Sequence, residues 1–474
     1  MKRYIYLLLA LWICGSCSNF LEETPKGRLI PETVDDFGKM LEDYYYNYIG
    51  YGQLLTMMMS DDAKITEEKL PDYKIWGVNA YTWADYVYSL SEDDEAYNSF
   101  YHAIYICNYV LGNLTGAQAG GEFTKEWVEG SARFHRAYAY LTLVNMYAKH
   151  YDKETASTDL GVALLLECDL ENSYGRATVA EVYKAIEEDL LAARTLLKDE
   201  LPEYPFRASK AAACALLARM YLYQERWQEC RDMAREARKM VGEPVDYNDY
   251  EVDGNPDEGI YHINGYDEWP WDLYDQPDII CWKGGMYISI DGNNETYNLS
   301  DDLVVLFKEK EESDLRWRLF ITDYAGFGDV PGEDEPRIVQ YLFPFNKGLN
   351  IGEVYITEAE ACVRMTTPDI DGALEALDGL ASKRYDQALY EKVTERDPEQ
   401  LLRIILDERR KEQLFKGTRW FDLKRLNKDP RFAKTITREL SGKTYTLAPD
   451  DNHYVIAIPL NVTSVNPNMV QNPR

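Results

Sequence analysis

Small residues recurring along paired helical stretches restrict the fold of this chain more than any other feature. An alanine-rich stretch at 209–222 is followed, after a turn, by a second stretch at 227–240, and the pattern returns at 354–361 and 371–385. The second stretch of each pair carries small residues on one face, namely Ala234 and Ala237, then Ala373 and Ala376. Small residues facing one another let two antiparallel helices pack closely, and such pairs must stack to bury their apolar faces. The sequence therefore predicts a helical repeat.

These pairs resemble tetratricopeptide (TPR) repeats in degenerate form, with Trp227 as the large residue at one turn. Helical periodicity recurs along much of the chain, at 97–114, 125–150, 178–198, 208–223, 227–240, 352–365, 371–385 and 398–416. The stretches 125–150 and 178–198 are interpreted as a further pair, split by a loop. The predicted fold class is mainly α, a TPR-like helical-repeat scaffold.

An irregular insertion at about 241–350 separates the two helical halves. It contains many Gly, Pro, Asn and Asp turns, short strand-like runs such as 286–290, and many aromatic residues. A long irregular insertion among helices is usually functional or disordered, and this one is too rich in Trp and Tyr for disorder. We expect a partly β, loop-rich lobe that binds a ligand. Near the C-terminus, 453–458 is also strand-like.

The N-terminus has the pattern of an export signal. Lys2 and Arg3 precede an almost wholly apolar run at 4–13, which is too short to span a bilayer. Small residues then lead to Cys17, in a sequence that resembles a bacterial lipobox. We predict a signal peptide at 1–16, a lipidated tether at 17–35 and a single domain at 36–474. An ordinary signal peptide, or lipidation at Cys14, are the weaker alternatives.

Charge and cysteine content exclude some classes of function. The chain has 82 acidic and 51 basic residues, a net charge of −31. Nucleic acid requires a basic face, so no nucleic-acid partner is expected; the charge suits solubility or a neutral ligand. Six cysteines follow the leader without paired spacing, and Cys107, Cys214 and Cys362 lie in apolar helical stretches, where a free thiol behaves as a small hydrophobe.

Motifs of known catalytic chemistry are absent from the sequence. No two of its five histidines have metal-ligand spacing on one helix, and no H-E-x-x-H, G-x-S-x-G or P-loop occurs. A calcium-like start at 249–254 has Ile260 where the bidentate acid should be. We therefore predict no catalytic residue, metal or cofactor. A glycosidase carboxylate pair stays open, because that pairing is spatial.

Several short motifs, in their order along the chain, resemble the SusD/RagB outer-membrane nutrient-binding lipoproteins of Bacteroidetes. They are FLE at 20–22, PKG at 25–27, RFHRAY at 133–138, LVNMY at 143–147, LDERRKE at 406–412, GTRWFDLKR at 417–425, IP at 458–459 and NPNMVQNP at 466–473. The resemblance implies a TPR-like scaffold, a glycan ligand, a SusC-like TonB-dependent transporter as partner, and lipid anchoring in the outer membrane, facing the exterior. The 419–425 block, with Trp420, is expected to be structural, as is the 60–62 turn.

Aromatic clusters are the candidates for a glycan-binding surface, because sugar C–H faces stack on flat rings. Three clusters with a nearby amide are proposed as ligand-binding: Trp76, Tyr81 and Trp83; Trp269 and Trp271; Trp282, Tyr287 and Asn293. Core packing is the alternative for each ring.

The leading function is capture of an oligosaccharide or polysaccharide and its transfer to the transporter. The alternatives are a TPR-type lipoprotein that binds a peptide or protein and, third, a glycoside hydrolase. The three differ in what they need: an aromatic platform, a peptide groove, or two facing carboxylates in a cleft.

Overall fold

Helices dominate the regular structure of this computed structural model, which describes residues 31–42, 51–169, 172–250, 252–253, 262–263, 278–284, 297–322, 337–338 and 346–474. In chain order the helices are α1 (Val34–Met40), α2 (Tyr51–Met59), α3 (Ile75–Tyr81), α4 (Glu95–Asn113), α5 (Lys125–Tyr147), α6 (Val179–Leu196), α7 (Lys210–Tyr223), α8 (Trp227–Val241), α9 (Asp301–Lys308), α10 (Leu315–Phe320), α11 (Ile351–Arg364), α12 (Ile370–Ala381), α13 (Pro398–Glu412), α14 (Arg419–Leu426) and α15 (Leu460–Val465). The strands are β1 (Ala63–Lys64), β2 (Val252–Asp253), β3 (His262–Ile263), β4 (Ile279–Cys281), β5 (Tyr297–Leu299), β6 (Ile321–Thr322), β7 (Arg337–Ile338), β8 (Leu349–Asn350), β9 (Ile436–Leu440) and β10 (Lys443–Leu447).

The helices form a continuous stack in which α4, α5, α6, α7, α8, α11 and α12 each pack on the next, and α13 packs on α11. Every residue of α7 after its first is buried. The small residues of α8, which packs on α7, and of α12, which packs on α11, are fully buried: Ala234, Ala237, Ala373 and Ala376. The absence of bulk at these positions is what lets the backbones approach. The predicted TPR-like stack is confirmed, including the pairing of α5 with α6 across a long loop.

Side-chain caps fix where several helices begin. The Thr178 hydroxyl accepts from the Glu181 amide at 3.2 Å, while the Glu181 carboxylate accepts from the Thr178 amide at 2.8 Å. This capping box satisfies donors that a helix start leaves unpaired. At α7 the Ser209 hydroxyl accepts from the Ala212 amide at 3.0 Å.

The C-terminal carbonyls of α5, at 145–148, are satisfied by residues from the far end of the chain. The Lys424 ammonium donates to the carbonyls of residues 145 and 148, each at 2.6 Å. The Ile456 amide donates to the carbonyl of residue 146 at 3.0 Å, and the Asn472 side chain to that of residue 147 at 2.9 Å. The last carbonyls of a helix have no partner within the helix, and these donors supply one.

The same contacts explain why residues 453–458 do not form the strand that the sequence predicts. Residues Asn452–Tyr454 form a 3-10 turn, and the extended chain after it bonds to the end of α5 rather than to a strand. The hairpin of β9 and β10, just before it, was not expected from the sequence.

The charged block at 419–425 is structural, as predicted. Trp420 is fully buried and its ring stacks on Tyr454 at 4.8 Å. Asp422 accepts from Arg409 at 2.8 Å and from Arg425 at 2.7 Å. Although burial alone would raise the pKa of Asp422, the two guanidinium groups hold it well below its usual range.

Two further predictions concern the described part of the chain. No disulfide joins the six cysteines of the described residues, and all but Cys168 are buried. Within the described ranges, no helix is both long and apolar enough to cross a bilayer.

Candidate functional site

The early part of the chain forms α3 and a loop, 82–90, that folds back over it. The side-chain amide of Asn79 donates to the Val87 carbonyl at 2.9 Å, and the Ala84 amide donates to the Asn79 carbonyl at 2.9 Å. Trp83 has a φ of 52°, in the left-handed region, which reverses the chain directly after α3. The loop is therefore held in one conformation against the helix.

A buried arginine forms the floor beneath this loop. The Arg438 guanidinium, on β9, lies 3.9 Å from the ring centroid of Tyr81 and 4.4 Å from that of Trp83. It donates to main-chain carbonyls of Met58, at 3.0 Å, and of Ser60 and Tyr81. Burial among these neutral partners lowers the pKa of Arg438 to about 10. The floor is rigid because cation–π contacts and hydrogen bonds fix both rings around one cation.

The turn at 60–62 joins this floor to the rest of the molecule. Asp61 accepts from Arg419 at 2.7 and 2.9 Å, and Asp62 accepts from Arg410 at 2.7 Å. Burial alone would raise the pKa of Asp61, but Arg419 and Arg410 hold it well below its usual range. The turn is structural, as expected, because these ion pairs connect the end of α2 to α13 and α14.

Helix α3 and the loop after it carry partly or largely exposed apolar and aromatic side chains, which we term the aromatic strip: Ile75, Trp76, Tyr86, Tyr88 and Leu90. Trp76 is half-buried and its ring stacks on Tyr88 with centroids 6.1 Å apart and planes inclined by 29°. Ile75 is 74% exposed, Leu90 60% and Tyr86 39%. Burial raises the pKa of Tyr88 well above its usual value, so its hydroxyl remains a donor. Ring faces with hydroxyls at their edge suit a ligand that is apolar on one side and hydroxylated on the other.

The strip lies close in sequence to the sheet from which the middle insertion departs. Strand β1 pairs antiparallel with β5, with Ala63 opposite Leu299, and β5 continues through β7 to β6. The insertion segments 285–296, 323–336 and 339–345 connect directly to these strands. The early chain and the insertion therefore meet at one sheet.

Three of the proposed ligand-binding rings are buried, which corrects the expectation that they form an exposed surface. Tyr81 is 4% exposed, Trp83 5% and Trp282 1%. Tyr81 and Trp83 enclose Arg438, and Trp282 follows β4, where its amide donates to the Pro205 carbonyl at 2.8 Å. A ring enclosed on both faces offers no surface for stacking.

The remaining proposed residues have different positions. Trp76 lies in the aromatic strip. Five of them lie outside the described residues: Cys17, Trp269, Trp271, Tyr287 and Asn293. Of the calcium-like sequence at 249–254, residues 251 and 254 also lie outside. The predicted ligand-binding residues did not include Ile75, Tyr86, Tyr88 or Leu90, although these lie in the same stretch of the sequence as Trp76.

A histidine connects the loop of the strip to the C-terminal segment. His453 Nε2 lies 2.8 Å from the Asp85 carboxylate, and His453 Nδ1 lies 2.6 Å from that of Asp451. Both contacts restrain the loop at its exposed side. Among the residues that the structure describes, no group of three or more His, Cys, Asp or Glu side chains is arranged to hold a metal ion.

Comparison with known proteins gives consistent matches along the chain. Residues 19–222 match a SusD-like family model described as "Starch-binding associating with outer membrane", and residues 350–474 match the SusD/RagB model, described as "SusD family". A SusD-like protein of Formosa agariphila is 22% identical over 542 aligned residues, which cover 99% of this chain and 97% of that protein.

Solved structures show the same fold. A SusD superfamily protein from Bacteroides thetaiotaomicron aligns with a TM-score of 0.73 at 21% identity, over 93% of this chain and all of the other. A putative sugar-binding protein from Bacteroides vulgatus gives 0.68 at 20%, over 94% and 99% of the two chains. A laminarin-binding SusD-like protein gives 0.62 at 18%, over 93% and 99%.

Proposed function

Because this chain belongs to the SusD/RagB family, we propose that it captures a glycan at the outer surface of the cell and passes it to a SusC-like TonB-dependent transporter. The family model matched at 19–222 is described as starch-binding, and one structural relative is named for laminarin binding. Both are neutral polysaccharides, which is compatible with a chain of net charge −31.

The observation that carries the proposal is the aromatic strip. Monomeric proteins rarely expose contiguous apolar surface without a role. Here Ile75 and Leu90 are more than half exposed beside the stacked pair of Trp76 and Tyr88. The surface is presented by a loop that Asn79 and His453 hold in place, so little conformational entropy is lost when a ligand stacks on it.

The middle insertion supplies the rest of the proposed surface. We assign Trp269, Trp271, Tyr287 and Asn293 to the ligand-binding lobe. The segment that contains Tyr287 and Asn293 leads into β5, which pairs with β1, and Trp269 and Trp271 belong to the same insertion. Tyr81 and Trp83 are assigned to the support of the aromatic strip, and Trp282 to the buried core after β4, rather than to ligand contact.

Attachment to the outer membrane is proposed to occur through a lipid on Cys17. The thioether lipid and an acylated terminal amine provide the two anchoring signals that stable membrane binding needs. The protein is proposed to bind its glycan without cleaving it, in keeping with a family model that is described by binding rather than by hydrolysis.

The test compares Trp76→Ala with Trp227→Ala, a second half-buried tryptophan, at the α7–α8 turn. A glycan array that includes starch and laminarin fragments identifies the ligand, and calorimetry of the full chain in detergent measures its affinity. Loss of an aromatic anchor costs about 2 kcal/mol, roughly a thirtyfold weaker affinity, which we expect for Trp76→Ala alone.

Three outcomes would contradict the proposal. Equal affinities of the two variants would remove the strip from the binding surface. Binding of peptides but of no glycan would favour the protein-interaction alternative. Shortening of the glycan, abolished by one Asp or Glu substitution, would favour a hydrolase.

A further inference from the structure

The loop at 82–90, which carries three side chains of the aromatic strip, is joined to the C-terminal segment by one histidine and two carboxylates. His453 Nε2 lies 2.8 Å from the Asp85 carboxylate, and His453 Nδ1 lies 2.6 Å from the Asp451 carboxylate. We term these three residues the histidine clasp. Asp85 directly precedes Tyr86 of the strip, and His453 lies 368 residues further along the chain. The clasp therefore holds the exposed side of this loop from a distant part of the protein.

Both contacts of the clasp can be hydrogen bonds only when the imidazole is charged. An ionised carboxylate accepts hydrogen bonds and cannot donate one, so each ring nitrogen of His453 must supply an N–H. The imidazolium has two such donors, whereas the neutral ring has one and leaves a lone pair at its other nitrogen. In the neutral ring one nitrogen would thus face a carboxylate oxygen at less than 3 Å without a proton between them. The geometry of the clasp selects the protonated histidine.

The two contacts are not held equally firmly. Asp451 also accepts from the His453 amide at 2.9 Å, and the two residues belong to one turn. Although burial alone would raise the pKa of Asp451, the amide and ring of His453 hold it below its usual value, so this carboxyl is ionised. The Asp85 side chain, by contrast, is 65% exposed and comes from the other end of the chain. When His453 loses one N–H, the contact with Asp85 is therefore the one that opens.

The charged groups around the clasp separate into those that keep their charge and those that titrate together with histidine. Arg474 interacts with Asp85, Asp451 and Tyr86, and it donates to a main-chain carbonyl at 2.8 Å. Guanidinium groups and phenols ordinarily keep their charge state below pH 8, whereas histidine changes its charge between about pH 5 and pH 8. Behind the strip, burial raises the pKa of Asp94 to about 6, so a test must hold the contribution of Asp94 constant.

We propose that the histidine clasp is a proton-dependent switch that orders the loop of the aromatic strip. The charged imidazole bonds to both carboxylates and holds the loop at 82–90. Deprotonation leaves one N–H, which stays with Asp451, and releases Asp85 together with the loop. The switch is a property of the loop itself, and its effect on glycan affinity rests in addition on the proposed function of the strip.

Asp85→Asn separates the switch from other effects of pH. An amide accepts at its oxygen and donates at its nitrogen, so it can bond to Nε2 of His453 whether or not that nitrogen carries a proton. The matched control is Asp93→Asn, because Asp93 is also exposed but accepts at 2.8 Å from the Asn461 amide of the C-terminal segment rather than from the histidine. Both variants keep Asp94, whose titration affects all three proteins alike.

Hydrogen exchange of the full chain in detergent, followed by mass spectrometry of peptides that cover 82–90, measures how firmly the loop is held. Protection factors corrected for the intrinsic exchange rate are compared at about pH 5.5 and about pH 8, which lie on either side of the usual range of histidine. We expect the parent loop to lose about threefold more protection than the Asp85→Asn loop as the pH rises, the effect of one exposed charged contact. Asp93→Asn should behave as the parent does.

Glycan affinity provides the second measurement, with starch and laminarin oligosaccharides as probes. Between the same two pH values the parent should bind about threefold more weakly, and Asp85→Asn should change less.

The switch is refuted if the loops of the parent and of Asp85→Asn lose equal protection, because the change would then come from Asp94 or another group. It is equally refuted if the protection of the parent loop does not change with pH. A loop that responds as expected, in a protein whose glycan affinity is the same at both pH values, would support the switch. That result would instead contradict the proposed function, since the strip would not be part of the glycan-binding surface.

Discussion

Trp83 provides a direct test of the buried floor beneath the aromatic strip. Its indole Nε1–H donates to the Met59 carbonyl at 2.9 Å, and its ring covers the Arg438 guanidinium at 4.4 Å. Trp83→Ala removes the ring, the hydrogen bond and one side of the enclosure of Arg438. Trp83→Phe keeps a ring but loses the indole donor.

The magnitude follows from burial. Truncation of a core tryptophan to alanine costs about 3–5 kcal/mol. The entropy of unfolding is about 2.1 cal/mol/K per residue, so a chain of 474 residues has about 1 kcal/mol/K, and the melting temperature should fall by roughly 3–5 °C. Trp83→Phe should lose about 1–2 kcal/mol of stability, mainly through the lost indole hydrogen bond and the smaller ring.

Thermal melts followed by circular dichroism measure this loss, and glycan titration at a temperature well below the melt measures binding. Trp83→Ala should melt early, and its folded fraction should bind more weakly only because the strip has lost its support. If Trp83→Ala melts within a degree of the parent while binding is abolished, Trp83 contacts the ligand. The assignment of Trp83 to a buried, structural position would then be wrong.

Two further predictions concern anchoring and pH. Cys17→Ala should lose palmitate labelling and leave the membrane fraction; unchanged labelling and fractionation would exclude Cys17 as the anchor. Burial raises the pKa of Asp94 to about 6, although the Tyr147 hydroxyl donates to it at 2.6 Å. Because an unfolded aspartate titrates near 3.9, stability from the protonated carboxyl is present below that pH and lost as pH rises through about 6. The free energy of unfolding of Asp94→Asn, measured in urea, should therefore rise relative to that of the parent by on the order of 2–3 kcal/mol between about pH 4 and pH 7. A difference between the two proteins that does not change with pH would contradict the raised pKa of Asp94.

The helical stack could be predicted because its signal is local. The buried alanines of α7 and the fully buried Ala234 and Ala237 of α8 lie within one pair of neighbouring helices. A period of 3.6 residues and a run of small side chains are enough to indicate which faces meet.

The exposure of individual tryptophans could not be predicted in the same way. Trp76 and Trp83 lie in one short stretch, yet Trp83 is covered by Arg438, a residue near the other end of the chain. No local pattern indicates that contact. The strand predicted at 453–458 was wrong for the same reason. The run is strand-like by sequence, but its hydrogen-bond partner lies on the distant α5.

The dependence of α5 on Lys424, Ile456 and Asn472 has a consequence for the order of events during synthesis. The ribosome completes α5 long before it adds these residues, so the exposed carbonyls of that helix must bind water or other partners in the growing chain. The hydrogen bonds at the end of α5 can be completed only after nearly the last residue has been added. A growing chain therefore lacks this part of its native structure until its synthesis is almost finished.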